Sequence, residues 1–213
     1  MDIFETMKAR HSVRQYKDQP IEEAVRQELD AAIEKANAAS GLSIQALYDE
    51  PTCFSSFMAR YGKFENVRNY IAIVGDKNDQ EKAGYYGEEL VLKCQSLGLN
   101  TCWVAMTHGK SKAKVMPGQK LLILIALGYG RTQGVPHKSK AMDELSSCDV
   151  ETEWFKTGME AVMLAPTAMN QQKFLFELKG GEVTAKSHGG FYSKIDLGIA
   201  KYHFEAATGH KVK

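Results

Sequence analysis

The sequence predicts an α+β or mixed α/β domain, and three observations support that prediction. Apolar runs typical of buried strands occupy residues 70–75 and 120–127. Stretches with apolar residues at helical spacing occupy 21–39 and 195–207. The composition is close to that of an average globular protein, with 44% hydrophobic and 25% charged residues. We therefore expect one domain, residues 1–213, in which helices flank a sheet.

The first elements follow from local signals. Residues 2–9 place apolar side chains at helical spacing and predict a short helix. A longer helix is predicted over 21–39, because Pro20 suits a helix start and Gly41 stops it. Residues 42–48 then alternate in polarity as a strand would.

The middle of the chain is uneven in its signals. Residues 49–69 contain aromatic residues without a clean period, which predicts an irregular covering segment. The stretch after the strand at 70–75 is a predicted long helix that ends at Gly98. Residues 100–106 and 120–127 are predicted strands.

The C-terminal part repeats this order. Its predicted elements are a helix at 154–164, a loop at 165–172, a hairpin of 173–178 and 182–186 turning at Gly180-Gly181, and a helix at 195–207. Each part of the chain thus runs helix, loop, extended segment and later helix. We therefore hypothesise that the chain consists of two pseudo-repeated halves, about 1–148 and 149–213.

Composition excludes several classes of function. Lys and Arg total 27 against 26 Asp and Glu, so no whole-surface field draws in nucleic acid. The four cysteines form no C-x-x-C pair and have no metal-like spacing with the histidines. The longest apolar run, 121–127, is too short to span a bilayer. We expect a soluble, cytoplasmic protein with reduced thiols and no membrane or nucleic-acid partner.

The stretch from Arg10 to Arg14 concentrates donors for an anion. Arginine offers a planar fork that suits phosphate oxygens, and Ser and His add donors beside it. Side chains alternate in an extended backbone, so Arg10, Ser12 and Arg14 would point the same way and could bind a dianion. A solvated basic turn is the alternative, since R-x-S-x-R alone is a weak pattern.

Four other motifs each allow a functional and a structural interpretation. Gly128-Tyr129-Gly130 follows a strand, but no apolar helix follows it, which excludes the dinucleotide-binding fingerprint. Lys138-Ser139-Lys140 is either solvated surface or part of an anion site at a strand end. The strand at 101–105 has small residues beside which a flat ring could lie. The loop at 165–172 carries amides and a hydroxyl that could hydrogen-bond to the edge of a heterocycle. The alternative is that the same groups cap a turn.

No known catalytic triad, metal motif or P-loop is present in the sequence. An enzymatic activity would therefore depend on a cofactor.

Together these motifs resemble those of the nitroreductase family of FMN-dependent oxidoreductases. The family opens with R-x-S-x-R-x-[FY], here residues 10–16, and carries A-P-S-x-x-N-x-Q, here 165–172. A helix ending in L-G-L leads to a strand with a bulky residue, here Trp103. A strand end then precedes K-x-[RK], here Lys138 and Lys140.

The resemblance implies a nitroreductase-like antiparallel or mixed sheet, FMN as the cofactor and NAD(P)H as the reductant. The segment Arg10–Arg14, through Arg10, His11, Ser12 and Arg14, would hold the phosphate, ribityl chain and pyrimidine edge of FMN. Lys138 and Lys140 would complete the phosphate site. Backbone at 103–105 would lie against the isoalloxazine, and loop 165–172 would meet it from the other side of an interface. The implied cofactor-binding residues are Arg10, His11, Ser12, Arg14, Trp103, Val104, Ala105, Lys138, Lys140, Thr167, Asn170 and Gln172.

The implied function is an FMN-dependent oxidoreductase that reduces nitro compounds, quinones or a related small-molecule acceptor by ping-pong transfer through the flavin. No side chain need act as acid or base, and no metal is expected. A flavin-binding protein of the same fold without efficient turnover is one alternative. A flavin- or iodotyrosine-processing relative is another.

The chain departs from the family in the order of its motifs. The A-P-S-x-x-N segment usually follows the first long helix, where this chain has residues 39–42 without Pro or Asn. Family members are homodimers in which that segment reaches the partner's flavin. This chain is therefore expected to be either such a homodimer or a monomer that mimics the dimer internally and binds one FMN.

Overall fold

The computed structural model describes residues 2–213 and has the predicted α+β fold. Its helices are α1 (Ile3–Ala9), α2 (Glu23–Ser40), α3 (Phe57–Tyr61), α4 (Gln80–Ser96), α5 (Met142–Leu145), α6 (Glu153–Val162) and α7 (Ser193–Thr208). Its strands are β1 (Ser43–Leu47), β2 (Asn69–Gly75), β3 (Asn100–Val104), β4 (Lys120–Gly128), β5 (Ser146–Cys148), β6 (Phe174–Lys179) and β7 (Glu182–Ser187). Short 3₁₀ turns occupy Pro51–Phe54 and Ala168–Asn170.

The larger sheet has the strand order β1-β2-β4-β3, with all neighbours antiparallel. Every residue of β2 is buried, so both faces of this central strand are covered. Ile71 and Ile73 pack into the main core on the helical side, and Tyr70 and Ala72 pack into a second cluster on the other face. The second cluster also contains Phe54, which comes from the segment predicted to cover the sheet.

The smaller sheet has the order β5-β6-β7. Its β6-β7 hairpin turns at Gly180 and Gly181, whose φ values of 57° and 81° require the left-handed region that glycine adopts freely. The parallel strand β5 and helix α5 were not predicted, because residues 142–148 have no apolar period that signals either.

Helices α4 and α7 cross at two glycines, and the contact is reciprocal. A Cβ atom on Gly84 would lie 2.0 Å from the carbonyl oxygen of Ile195, and one on Gly198 would lie 1.9 Å from that of Glu81. Each glycine therefore faces the carbonyl three residues before the other glycine. The two helices cross here with their backbones in direct contact, an arrangement that any side chain at these positions would block.

The order of elements also repeats. The unit α2-β1-β2-α4 and the unit α6-β6-β7-α7 each place an antiparallel strand pair between two helices. The reciprocal glycine contact joins the last helix of one unit to the last helix of the other. Strands β3 and β4 follow the first unit and complete the larger sheet.

Several predicted bounds differ from those observed. The strand predicted at 100–106 ends at Val104, and the long helix ends at Ser96, two residues before Gly98. Segment 49–69 contains a 3₁₀ turn and the short helix α3 within its irregular path. Within residues 2–213, no helix has the length and apolar character needed to cross a membrane.

Candidate functional site

The basic N-terminal segment lies along the edge of β3. Ser12 pairs with Thr101 in parallel fashion, and the Val13 amide donates to the Thr101 carbonyl at 2.9 Å. Val13 and Tyr16 are buried, and the Tyr16 hydroxyl donates to the Val13 carbonyl at 2.6 Å. The alternation expected of extended backbone is therefore observed: Val13 faces the core, and its neighbours face a cleft.

One end of this cleft, here called the basic pocket, has a volume of about 280 Å³. Arg10, Ser12 and Arg14 all line it, together with His11 between them. The opposite wall comes from the loop after α6 and includes Thr167. The remaining lining residues are Val135, His137, Pro166, Met169 and Asn170.

The other end, here called the apolar pocket, has a volume of about 230 Å³. Trp103 and Ala105 line it from the end of β3, and Phe191 and Tyr192 line it from the start of α7. The two pockets share five residues and form one cleft, within the roughly 300–1,000 Å³ typical of small-molecule sites. The shared residues are Ser12, Arg14, Pro166, Thr167 and Met169.

The loop from Thr167 to Gln172 has an uncommon backbone. Met169, Asn170 and Gln172 all have positive φ values, between 45° and 53°. Residues other than glycine seldom adopt this region, and they persist there only when surrounding contacts fix them. This wall of the cleft is therefore held in place by specific interactions.

Amide side chains supply part of that support. Asn170 and Gln172 both donate to the carbonyl of Lys138, at 2.8 and 3.0 Å. The Gln172 side chain also accepts from the backbone amide of Lys140, whose ammonium in turn reaches the Gln172 carbonyl at 3.2 Å. Gln172 is buried behind the cleft, whereas Asn170 lines the basic pocket.

The twelve residues selected from the sequence thus divide into two sets. Eight of them line the cleft: Arg10, His11, Ser12, Arg14, Trp103, Ala105, Thr167 and Asn170. The other four lie beside or behind it. Val104 packs into the second core cluster, and Lys138, Lys140 and Gln172 form the hydrogen-bonded support of the loop.

Arg10 is the most buried charged group in the basic pocket, with 3% of its surface exposed. Its Nη2 atom donates weakly to the Leu164 carbonyl at 3.4 Å. Its Nε atom lies 3.7 Å from Glu88 Oε1 and has no hydrogen-bond partner among residues 2–213. Burial lowers the pKa of Arg10, and the nearby Glu88 opposes that shift, so the guanidinium stays charged.

Glu88 of α4 is buried behind the cleft and contacts residues from both of its ends. The carboxylate is fully buried, with Oε2 accepting from Trp103 Nε1 at 2.9 Å and Oε1 lying 2.9 Å from His203 Nε2. The other His203 nitrogen, Nδ1, lies 2.9 Å from the Ala161 carbonyl and must donate to it. Glu88 thereby joins Arg10 of the basic pocket to Trp103 of the apolar pocket.

Trp103 is also fixed sterically. Its ring lies over Gly87, where an added Cβ atom would come within 2.3 Å of the indole Cη2 atom. The same Cβ atom would lie 2.7 Å from Ile73. Glycine at this position therefore allows the edge of the indole to approach α4 closely beside Glu88.

The electrostatics of the cleft favour an anion held by arginine. Burial lowers the pKa of both His11 and His137, so these imidazoles are neutral at pH 7 and act as hydrogen-bonding groups. Arg14 lines both pockets, and within residues 2–213 no carboxylate lies within 4 Å of it. Burial raises the pKa of the Cys102 thiol, which excludes a reactive thiolate beside the cleft.

Several lining residues were not among those predicted from the sequence, including the polar or aromatic residues His137, Phe191, Tyr192 and Asp196. Asp196 had a usable signal, because it is an acidic residue inside the apolar run from Ile195 to Ala200. Tyr192 has a φ of 56° and donates from its hydroxyl to the Ala105 carbonyl at 3.4 Å. Nothing in the local sequence indicates that contact.

The cleft has a basic end and an apolar end, a shape that suits an elongated small molecule with an anionic end and a flat apolar end. A sequence profile described as "Putative TM nitroreductase" matches residues 2–208. The chain therefore belongs to the nitroreductase family, a family of oxidoreductases. A search of curated proteins finds no significant match.

Solved structures agree with this assignment. A Thermotoga maritima structure described as a "putative nitroreductase" is 25% identical with a TM-score of 0.70, covering 97% of this chain and 83% of its own. A Desulfovibrio desulfuricans nitroreductase-family structure in complex with FMN is 15% identical, with a TM-score of 0.52 and coverage of 67% and 94%. A Bacteroides thetaiotaomicron protein described as NADH dehydrogenase/NAD(P)H nitroreductase is 16% identical, with a TM-score of 0.51 and coverage of 67% and 95%. The last two show likeness of fold.

Proposed function

We propose that the protein is an FMN-dependent oxidoreductase that uses NAD(P)H to reduce nitro compounds, quinones or a related small-molecule acceptor. The observation that carries this proposal is the continuity of the two pockets. Ser12 and Arg14 line both, so one ligand can extend from a basic end to an apolar end. FMN has that form, with a phosphate at one end and a flat ring system at the other.

The residues present fit this cofactor. The Nε atom of buried Arg10 has no hydrogen-bond acceptor among residues 2–213, and phosphate oxygens are acceptors of the kind it lacks. Arg14 and Ser12 add donors on the same side. At the other end, the indole of Trp103 and the methyl group of Ala105 offer apolar contact for a ring.

When bound, FMN would supply the transfer of a hydride or electron pair from the nicotinamide to the acceptor. The chain's own residues bind and orient. Arg10, His11 and Ser12 would hold the phosphate and ribityl chain, and Arg14 would place positive charge where the pockets meet. Positive charge beside the pyrimidine edge favours the anionic reduced form of the cofactor.

The second wall supports the same proposal. Thr167 and Asn170 would meet the cofactor from the side opposite Arg14. Lys138, Lys140 and Gln172 would act through that loop, because their hydrogen bonds fix its backbone. Val104 would contribute through the backbone of β3 only.

Both walls come from a single chain, which supports the proposal of one FMN per monomer. The N-terminal segment gives one wall and the loop after α6 gives the other. The reciprocal contact of Gly84 and Gly198 is what an internal mimic of a two-fold dimer would show at its axis. We accordingly propose one domain, residues 1–213, with pseudo-repeated halves.

The comparisons are consistent with FMN as the cofactor and NAD(P)H as the reductant. The D. desulfuricans structure contains FMN, and the B. thetaiotaomicron protein is described as an NADH dehydrogenase/NAD(P)H nitroreductase. A flavin-binding protein without efficient turnover has the same cleft and is distinguished only by kinetics.

The test is flavin uptake followed by anaerobic reduction. Purified protein should be yellow or should bind added FMN. Under anaerobic conditions, NADH or NADPH should then bleach the absorbance of the bound flavin at a rate at least as fast as steady-state turnover. Protein that takes up no FMN would overturn the proposal. Protein that binds FMN but is not reduced would be a binder without turnover.

A variant pair tests the site itself. Arg14→Ala should weaken FMN binding by about 1.5–3 kcal/mol, roughly 10- to 150-fold in Kd, the range for a hydrogen bond to a charged group. Lys17→Ala is the matched control, because Lys17 is an exposed cation of the same segment outside the cleft. Equal flavin retention in the two variants would count against the assignment of Arg14.

A further inference from the structure

Asp196 is a buried carboxylate in the first turn of α7, and it lines the apolar pocket. Its Oδ1 atom accepts from the Ala168 amide at 2.9 Å, and its Oδ2 atom accepts from Gln171 Nε2 at 2.7 Å. The same Gln171 nitrogen donates to the Phe191 carbonyl at 2.7 Å. One carboxylate thus connects α7 with both segments that form this side of the cleft.

The two segments need such support. Loop 167–172 contains three residues with positive φ, and Tyr192 at the end of segment 188–192 has a φ of 56°. Backbone of this kind persists when contacts over-determine it. Asp196 and Gln171 provide contacts to both segments at once.

The partners of Asp196 are neutral. Within residues 2–213, no Lys, Arg or His nitrogen lies within 4 Å of its carboxylate, and its two hydrogen bonds come from neutral N–H groups. The titratable groups around it are Arg14, Cys102 and Tyr192 lining the same pocket, Lys194 on its own helix, and the paired Lys201 and Glu81 where α7 meets α4. A buried carboxylate that lacks a cation lowers stability, which is typical of a functional position.

We propose that Asp196 is a positioning residue whose carboxylate fixes loop 167–172 and segment 188–192 as one wall of the cleft, and that it does so only while ionised. A proton on Oδ2 would place a donor against the Gln171 donor. Gln171 would then lose its hydrogen bond to either Asp196 or Phe191. Burial raises the pKa of Asp196 to about 6, which puts this change close to neutral pH.

The inference rests on the proposed function in taking the cleft as the cofactor site, so its first test uses flavin-free protein. The Ala168 amide donates to the carboxylate, and its ¹H–¹⁵N NMR signal should titrate with a midpoint near pH 6. Asp196→Asn, which resembles the protonated form, should remove this titration. It should also speed hydrogen exchange over 167–172 and 188–192 at pH 7.5. An Ala168 signal independent of pH, or unchanged exchange in the variant, would overturn the proposal whether or not FMN binds.

The second test measures FMN affinity. At pH 8, Asp196→Asn should bind FMN about tenfold more weakly than wild type, the loss expected for a hydrogen bond to a charged group. At pH 5 the two should differ less than about twofold, since wild type is then protonated as well. The phosphate of FMN titrates in the same range, so the ratio of the two Kd values is the quantity to compare. A ratio that stays constant with pH would contradict the proposal.

Two further variants complete the design. Gln171→Met removes the link to Phe191 and keeps the bond from Ala168 to Asp196. It should therefore speed exchange over 188–192 while the Ala168 titration persists, even if Asp196→Asn fails to fold. Asp143→Asn is the control, because Asp143 is exposed and lies outside the cleft.

Discussion

The buried carboxylate of Glu88 should be the largest single contributor to the stability of the cleft. Glu88→Ala would remove the acceptor of Trp103 Nε1, the hydrogen-bond partner of His203 Nε2 and the carboxylate beside Arg10. Removing one partner of a buried charge pair typically costs about 3–5 kcal/mol. At 2–4 °C per kcal/mol for a chain of this size, the melting temperature should fall by roughly 6–20 °C.

Glu88→Gln separates the charge from the hydrogen bonds. The Gln amide can accept from Trp103 through its oxygen and donate through its nitrogen to Nε2 of a neutral His203, whose Nδ1 donates to Ala161. Both hydrogen-bonding positions are then filled and the negative charge beside Arg10 is lost, so the expected cost is smaller, about 1.5–3 kcal/mol. FMN should then raise the melting temperature of this variant more than that of wild type, since its phosphate would replace the missing negative charge.

The assays are urea unfolding and thermal unfolding of flavin-free protein, each repeated with saturating FMN. Glu89→Ala is the control, since Glu89 is exposed on the same helix and its loss should change stability by less than about 0.5 kcal/mol. Equal losses for Glu88→Ala and Glu88→Gln would refute the separate contribution of the hydrogen bonds. A loss below 1 kcal/mol for Glu88→Ala would refute the whole reasoning.

Three other predictions follow from the packing and from burial. Gly84→Ala and Gly198→Ala should each lower the free energy of unfolding in urea by about 1–3 kcal/mol. The two losses should be similar, because the contacts of the two glycines are reciprocal. A gain in stability of about 1 kcal/mol, as expected for Gly→Ala at an exposed helical site, would contradict this prediction. Gly87→Ala should displace the indole of Trp103 and shift tryptophan emission to the red, and an unchanged spectrum would show that the ring does not lie there. The pKa of Asp196, raised to about 6 from 3.8, means that its folded form binds the proton more tightly. Wild-type stability relative to Asp196→Asn should therefore fall by roughly 2–4 kcal/mol between pH 4 and pH 7, and a flat difference would exclude a raised pKa.

The N-terminal wall of the cleft was predictable because it depends on a period of two. Arg10, Ser12 and Arg14 line one pocket, and Val13 is buried against β3. His11 departs from the alternation, because it lines the same pocket as its neighbours. Alternation in extended backbone fixes that arrangement without knowledge of the partner strand.

The support beneath the cleft was not predictable in the same way. Glu88 and Asp196 lie on apolar helix faces, where an acidic residue signals a buried role but not its partners. Gln172 was selected as a ligand of the cofactor, whereas the structure shows its amide bonded to Lys138 and Lys140. An amide can be satisfied by backbone or by ligand, and only the folded chain shows which groups are near it.

The repeated order of elements was visible in the sequence, but the contact that relates its parts was not. Gly84 and Gly198 are separated by more than a hundred residues, and each could have been an isolated glycine in a helix. Their reciprocal approach follows from how α4 and α7 cross.

The central claim is that one chain builds the whole FMN site, and flavin stoichiometry tests it most directly. Flavin-free protein titrated with FMN, then analysed by native mass spectrometry alongside absorbance, should yield a monomer that carries one FMN. Two flavins per chain, or flavin found only in a dimer and lost on its dissociation, would contradict the account.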